Sequence, residues 1–166
     1  MTEIAVAYGW KGREVQDALD VEALARFVLE RQDVPADSEV SISFVADERI
    51  RELNRAYRGL DKPTDVLSFE CDGVDDGFGD IPAEAQADAP FQLGDVVVAV
   101  DVAAAQAPGF GLDLGDELSL LVTHGLLHLC GYDHLDDDEA AAMEAREQEL
   151  LEAFWGRPFN RHGLDG

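Results

Sequence analysis

The segment from Leu114 to Leu129 constrains the fold of this chain more than any other part. It predicts a helix with apolar side chains on every side, at Leu118, Leu120, Leu121, Val122, Leu126, Leu127 and Leu129. A helix that is apolar all round has to be buried. Gly131 follows and can end the helix, because glycine readily takes a positive φ. The rest of the chain is therefore expected to pack around this helix.

Histidines interrupt the apolar helix, in the run His124-Gly-Leu-Leu-His128-Leu-Cys-Gly-Tyr-Asp-His134. His124 and His128 are four residues apart, so both imidazoles leave one face of the helix, a spacing that suits two ligands of one metal ion. The turn at Gly131 can bring His134 back as a third ligand. A lone core histidine is usually satisfied by a hydrogen bond, but here three of the four histidines fall on an apolar helix and the bend after it. We predict one metal ion per chain, zinc, bound by these three residues.

Three neutral imidazoles leave a fourth tetrahedral position for water, which is typical of catalytic rather than structural zinc sites. Zinc can lower the pKa of a bound water to about 7, so the pattern predicts a hydrolytic site. Cys130 lies inside the cluster and is interpreted as a packed residue, with thiolate ligation as the alternative. Asp133 either orients a ligand imidazole or caps the turn.

The residue after the first histidine separates two classes of hydrolase. In zinc peptidases of the His-Glu-x-x-His type, a glutamate at this position is the general base. Here the position is Gly125, which disfavours a peptidase. Attack on a phosphodiester depends less on such a base, but it needs cations close to the phosphate.

A basic segment can supply these cations. It holds five of the chain's 12 basic residues, namely Arg49, Arg51, Arg55, Arg58 and Lys62. The pattern predicts a helix from Asp47 to Arg58, with Ile50, Leu53 and Tyr57 facing the core and Arg51, Arg55 and Arg58 on the opposite face. We predict that Arg51, Arg55, Arg58 and Lys62 bind substrate phosphates. The alternative is a solvated face that pairs with Glu48 and Glu52.

The net charge of −24, from 36 acidic and 12 basic residues, argues against general affinity for nucleic acid but leaves room for a local basic site. One hypothesis is adaptation to high salt, where a solvated acidic surface keeps a protein dispersed. The two cysteines, Cys71 and Cys130, make no disulfide framework and fit a reducing compartment. With no basic and apolar leader and no long apolar run, we expect a cytoplasmic protein that does not enter a membrane.

Residues 1–166 predict a single domain of the α+β (mixed α/β) class, with a small mixed sheet of about four strands flanked by helices. Strands are expected at 3–8, 39–46, 66–70 and 93–100, the last of them central. Further helices are expected from a cap at Asp20 to about Gln32, in an alanine-rich stretch ending near 108–109, and from a cap at Asp136. The last of these has an inner stripe of Met143, Leu150, Leu151 and Phe154. Residues 72–92 form an acidic loop and residues 156–166 a C-terminal tail.

Four blocks of this sequence resemble the YbeY family of bacterial endoribonucleases. They are the histidine run at 124–134, Leu-Asn-Arg-Ala-Tyr-Arg at 53–58, Asp-Lys-Pro-Thr-Asp-Val-Leu-Ser-Phe at 61–69 and Leu-Gly-Asp-Val-Val-Val-Ala at 93–99. The blocks lie in family order over most of the chain from residue 40 onward.

The resemblance implies zinc on His124, His128 and His134, and it maps the family's functional arginine onto Arg58. It implies cleavage of single-stranded RNA in ribosomal RNA maturation, including the 3′ end of 16S rRNA, and in ribosome quality control. The expected partners are the ribosome or its small subunit and assembly factors. A non-catalytic assembly factor with a zinc-stabilised fold is the rival hypothesis, and a metallopeptidase is a weaker one. Whether water or the ribose 2′-hydroxyl attacks stays open, and no general base is assigned.

Overall fold

The computed structural model of the chain describes residues 2–35, 37–70, 91–132 and 136–159. Its strands are β1 (Glu3–Tyr8), β2 (Ser38–Val45), β3 (Val66–Glu70) and β4 (Phe91–Ala99). Its helices are α1 (Gly12–Ala18), α2 (Val21–Arg31), α3 (Asp47–Arg58), α4 (Val100–Gln106), α5 (Leu114–Leu129) and α6 (Asp137–Trp155), with a 3₁₀ turn at Ala107–Phe110 after α4.

The four strands form one mixed sheet in the order β1-β2-β4-β3. β1 runs parallel to β2 and β2 parallel to β4, whereas β3 is antiparallel to β4. Strand β4 therefore lies inside the sheet, and its Val96 and Val98 are fully buried. The predicted α+β class, the mixed four-stranded sheet and the central place of this strand are confirmed.

Helix α5 lies at the centre of the packing, as its composition predicted. It contacts β3, β4 and the helices α1, α2, α4 and α6, and its Leu118, Val122, Leu126 and Leu127 have no exposed surface. The large core lies between these helices and one face of the sheet. A smaller cluster of Ile50, Leu67, Val97 and Ala99 lies on the other face, beneath α3.

The predicted helix ends are reproduced at several positions. The Asp20 carboxylate accepts the Ala23 N–H at 3.1 Å and starts α2. The Asp136 carboxylate accepts the Glu139 N–H at 2.8 Å and starts α6. Gly59, with φ of 71°, ends α3 as predicted. Side-chain acceptors at the first turn of a helix satisfy N–H groups that have no partner within the helix, which is why these residues mark its start.

The prediction that Tyr57 faces the core is wrong. Ile50 is fully buried and Leu53 half-buried, but Tyr57 is 69% exposed. The innermost line of α3 runs from Ile50 to Asn54, four residues on, and the buried Asn54 amide donates to the Lys62 carbonyl at 2.9 Å. Tyr57 follows three residues later and so lies on the flank of the helix, where its ring contacts Phe69.

Smaller differences concern the boundaries. Helix α1 was not predicted, because Val15 is its one buried residue and no side chain caps it. Two residues assigned to the acidic loop, Phe91 and Gln92, belong to β4, and Val100 begins α4. Within the predicted tail, Phe159 is buried and its N–H donates to Glu152 at 3.0 Å.

Cys71, the loop residues 72–90 and the tail residues 160–166 lie outside the described residues. No helix in the part of the chain that is described has both the length and the hydropathy needed to cross a bilayer.

Candidate functional site

Two of the predicted ligands, His124 and His128, lie one turn apart on α5. Their rings are 4.6 Å apart between centroids, and their Nε2 atoms are 3.1 Å apart. Two nitrogens bound to one tetrahedral zinc at 2.0–2.1 Å would be separated by about 3.3–3.4 Å. The structure therefore brings these two nitrogens to the spacing that a shared zinc ion requires.

The hydrogen bonds of the two rings fix which nitrogen carries the proton. The Nδ1 of His128 lies 3.0 Å from the carbonyl oxygen of Tyr132, which can only accept. The Nδ1 of His124 lies 2.5 Å from a carboxylate oxygen of Glu147. Both Nδ1 atoms therefore act as donors, so the Nε2 atoms are the nitrogens that the rings could offer to a metal ion. Two imidazole nitrogens directed at one space are a donor set that fits a divalent metal.

Glu147 is a site residue that sequence reasoning missed. Its side chain is 9% exposed and belongs to α6, four residues after the buried Met143. A carboxylate on the apolar inner stripe of a helix is costly to bury unless it is paired. The acidic residue on an apolar stripe was the signal available in the sequence. Its partner, His124, lies 23 residues earlier in the chain and could be known only from the packing of α6 on α5.

A cleft of about 360 Å³ surrounds the two imidazoles, and His124, His128, Arg58 and the run 64–68 line it. Arg58 comes from the last turn of α3, and the run 64–68 leads into the edge strand β3. The Ser68 hydroxyl donates to the Gly125 carbonyl at 3.2 Å and ties β3 to α5. Three separate elements thus place a guanidinium and two imidazoles around one space.

The other predicted phosphate-binding residues do not line this cleft in the described structure. The Arg51 guanidinium makes two hydrogen bonds to the Asp61 carboxylate, at 2.8 and 3.3 Å. The hydrogen bond from Arg51 holds the pKa of Asp61 below its usual value. Arg55 and Lys62 are exposed. Of the predicted cations among the described residues, Arg58 is the one that the structure places beside the histidines.

The third predicted ligand, His134, and the predicted orienting residue, Asp133, lie outside the described residues and stay predictions. The chain leads in their direction through Gly131, which has φ of 102° and donates its N–H to the His128 carbonyl at 3.0 Å. Within the described ranges, no group of three histidine, cysteine or acidic side chains is arranged to hold a metal.

Cys130 behaves as a packed residue. It is half-buried, and burial raises the pKa of its thiol to about 11. Both features agree with its interpretation as a packed residue.

The absence of a glutamate at position 125 has a steric explanation. A Cβ at Gly125 would lie 2.6 Å from Val96 Cγ1 and 3.1 Å from the Ser68 hydroxyl. Helix α5 approaches the sheet so closely here that a larger residue would require Val96 to shift. The packing as well as the sequence therefore disfavours the active-site base of the His-Glu-x-x-His peptidases.

Comparison with known proteins gives a consistent result. The model of the family described as Endoribonuclease YbeY matches residues 11–155. A protein named Endoribonuclease YbeY from Halalkalibacterium halodurans is 47% identical over 116 residues, which cover 70% of this chain and 72% of the relative. One of the same name from Bacillus licheniformis is 40% identical over 154 residues, covering 92% of this chain and 90% of the relative.

The fold has a solved counterpart as well. The solution structure of the Thermotoga maritima protein TM1509 superposes with a TM-score of 0.61 at 27% identity, covering 94% of this chain and 90% of that one. The family match contains every described helix and the whole cleft. The resemblance seen in the sequence is confirmed, and the chain belongs to the YbeY family.

Proposed function

We propose that this protein is a zinc-dependent endoribonuclease that cuts single-stranded RNA in ribosomal RNA maturation, including the 3′ end of 16S rRNA, and in ribosome quality control. The observation that carries the proposal is the 3.1 Å approach of the His124 and His128 Nε2 atoms in the same cleft as Arg58. The two relatives described above are both named Endoribonuclease YbeY, which supports the substrate class.

The residues of the cleft would have three separate roles: to bind the ion, to orient its ligands and to bind the phosphate. His124, His128 and His134 would hold the ion, which supplies a Lewis acid that lowers the pKa of the attacking hydroxyl group. The Tyr132 carbonyl and the Glu147 carboxylate keep the imidazoles in the ligating tautomer. Arg58 binds the phosphate oxygens, where its planar guanidinium can make two parallel hydrogen bonds.

The charge of the protein limits where RNA can bind. With 36 acidic residues on the chain, a polyanion is repelled from most of the surface. Arg51 and Arg55 are exposed on the same helix as Arg58, Lys62 follows that helix in the chain, and these residues would bind phosphates on either side of the cut. The ribosome or its small subunit and assembly factors are the partners we propose, in the cytoplasm.

The test compares the metal-loaded wild type with His128→Ala on a single-stranded RNA and on the same sequence in a duplex. We expect about one zinc per chain and cleavage of the single strand in the wild type, and loss of both in the variant. Chelation of the wild type should also lower its melting temperature, because binding to the native state stabilises it.

Equal cleavage by wild type and His128→Ala would indicate a contaminating nuclease and overturn the catalytic proposal. If chelation still lowered the melting temperature in that case, a non-catalytic assembly factor with a zinc-stabilised fold would be favoured. The product ends identify the nucleophile, since attack by the 2′-hydroxyl leaves a 2′,3′-cyclic phosphate and attack by water does not.

A further inference from the structure

Tyr57 is the large apolar residue with the greatest exposure in the described part of the chain. It is 69% exposed, compared with 41% for Trp10 and 40% for Leu60. The ring is nevertheless held in place, because it packs against Phe69 with 5.1 Å between centroids and 60° between planes. One ring is thus fixed against the protein with most of its surface open to solvent. Burial in the core does not explain an ordered ring with this exposure, whereas a binding role does.

Each of the two rings belongs to a residue next in sequence to one that lines the cleft. Tyr57 immediately precedes Arg58, and Phe69 immediately follows Ser68, and both Arg58 and Ser68 line the cleft. On β3 the side chains alternate, so Ser68 faces α5 while Phe69 packs on the α3 side of the sheet. Consecutive Cα atoms are about 3.8 Å apart. Tyr57 is therefore carried by the same turn of α3 as the guanidinium that lines the cleft.

We propose that Tyr57, braced by Phe69, is a stacking surface for an unpaired base of the RNA strand whose phosphate Arg58 binds. This inference rests on the proposed function and extends it to substrate selection. A base stacks well on an aromatic ring and does so with little dependence on sequence. Bases within a duplex are already stacked on both faces, so such a surface selects single strands.

The surroundings favour a nucleic acid over a protein as the occupant. Arg51, Arg55 and Arg58 lie on the same helix as Tyr57, and Lys62 follows it, in a chain of net charge −24. An aromatic ring among cations matches the chemistry of a strand with alternating bases and phosphates. An apolar protein contact would not need this concentration of positive charge.

The test measures equilibrium binding of metal-loaded protein to a short unstructured RNA and to a series in which one base at a time is replaced by an abasic ribose. We expect Tyr57→Ala to bind the intact RNA roughly ten-fold more weakly. At one position of the series, the abasic RNA should bind the wild type as weakly as it binds Tyr57→Ala. Tyr57→Phe should restore the affinity, because it keeps the ring.

Leu60→Ala is the matched control, since it removes an exposed apolar side chain three residues away that is not aromatic. Melting temperatures equal to that of the wild type show that the variants are folded, as expected for exposed positions. Loss of affinity in Leu60→Ala equal to that in Tyr57→Ala would overturn the stacking proposal in favour of a general apolar contact. So would an unchanged affinity in Tyr57→Ala, or an equal loss for every abasic RNA.

Arg58→Ala separates this proposal from the proposed function. It should lower the dependence of affinity on salt by about 0.7 in log–log slope, one phosphate contact on a single strand, whereas Tyr57→Ala should leave that slope unchanged. Weakened binding in Arg58→Ala with normal binding in Tyr57→Ala would overturn the stacking surface alone. No binding of single-stranded RNA by the wild type would overturn both.

Discussion

The Nδ1 atom of His124 on α5 lies 2.5 Å from the Oε1 atom of Glu147 on α6. This contact joins the ligand-bearing helix to the helix that covers it. Outer carboxylates of this kind hold a ligand imidazole in one tautomer and orientation and raise its basicity. The geometry of the proposed metal site would therefore depend on the packing of α6.

Replacing Glu147 should weaken zinc binding without removing a ligand. We expect Glu147→Ala to lose about 10–100-fold in zinc affinity, and Glu147→Gln to lose less, because its carbonyl oxygen can still accept from Nδ1. Competition against a chromophoric chelator measures the affinity. Glu144→Gln, an exposed glutamate three residues earlier on the same helix, is the control. Wild-type affinity in Glu147→Ala would show that the contact does not support the metal site.

Gly125→Ala should destabilise the protein through steric overlap. The new methyl group would meet Val96, which is fully buried between α5 and the sheet and cannot move aside cheaply. Overpacking of this kind costs about 1–3 kcal/mol. Chemical denaturation with the metal removed measures it without any contribution from zinc. An unfolding free energy equal to that of the wild type would mean that α5 lies further from the sheet than described.

Arg58→Ala should keep the metal and lose cleavage. The side chain lines the cleft but is not a zinc ligand, and loss of one donor to a developing anionic charge costs about 10²–10³ in rate. Zinc content and single-turnover cleavage of RNA are the two measurements. Arg49→Ala, on the same helix and paired with Glu52, should cleave at the wild-type rate. Full cleavage by Arg58→Ala would remove this residue from the mechanism.

The ion pair between Arg51 and Asp61 should form and break with pH. The hydrogen bond from Arg51 lowers the pKa of Asp61. The ion pair is therefore fully formed at a pH above the ordinary pKa of aspartate, and it is lost as the pH falls through the lowered pKa of Asp61. Carboxyl carbon NMR titration of Asp61 measures this directly. In Arg51→Ala the pKa of Asp61 should move up toward 3.8. An identical titration curve in wild type and variant would show that the pair does not form in solution.

The acidic excess should make stability depend on salt. The screening length is about 30 Å at 0.01 M salt and about 3 Å at 1 M, so repulsion between distant carboxylates is strong only at low salt. Exposed acids such as Asp137, Asp138 and Glu139 on α6 contribute to this repulsion. We expect the melting temperature to rise between these two salt concentrations. A constant melting temperature would contradict adaptation to high salt.

Most of the fold could be predicted because it depends on local signals. Alternation set the strands, and side-chain acceptors such as Asp20 and Asp136 set the starts of α2 and α6. The apolar surface of α5 fixed its place in the core, and the spacing of His124 and His128 placed both on one face. Strand order could not be derived, because it depends on contacts between residues far apart in the chain.

The residues that could not be predicted are those whose role depends on a neighbouring element. Glu147 is an ordinary helix residue until α6 is placed on α5. Gly125 looks like a missing base until Val96 is found beneath it. Tyr57 fits the apolar spacing of α3. Only the position of that helix over the sheet shows that the buried face of α3 ends before Tyr57.

His124 and His128 lie on α5, the helix at the centre of the packing. Their positions therefore depend on the stability of the whole fold. Backbone amides in such an element exchange with solvent only through global opening, so their protection factors should match the unfolding free energy. Partial opening of the peripheral helices would then leave His124 and His128 at their present spacing. The proposed ligand pair would persist for as long as the core itself stays folded.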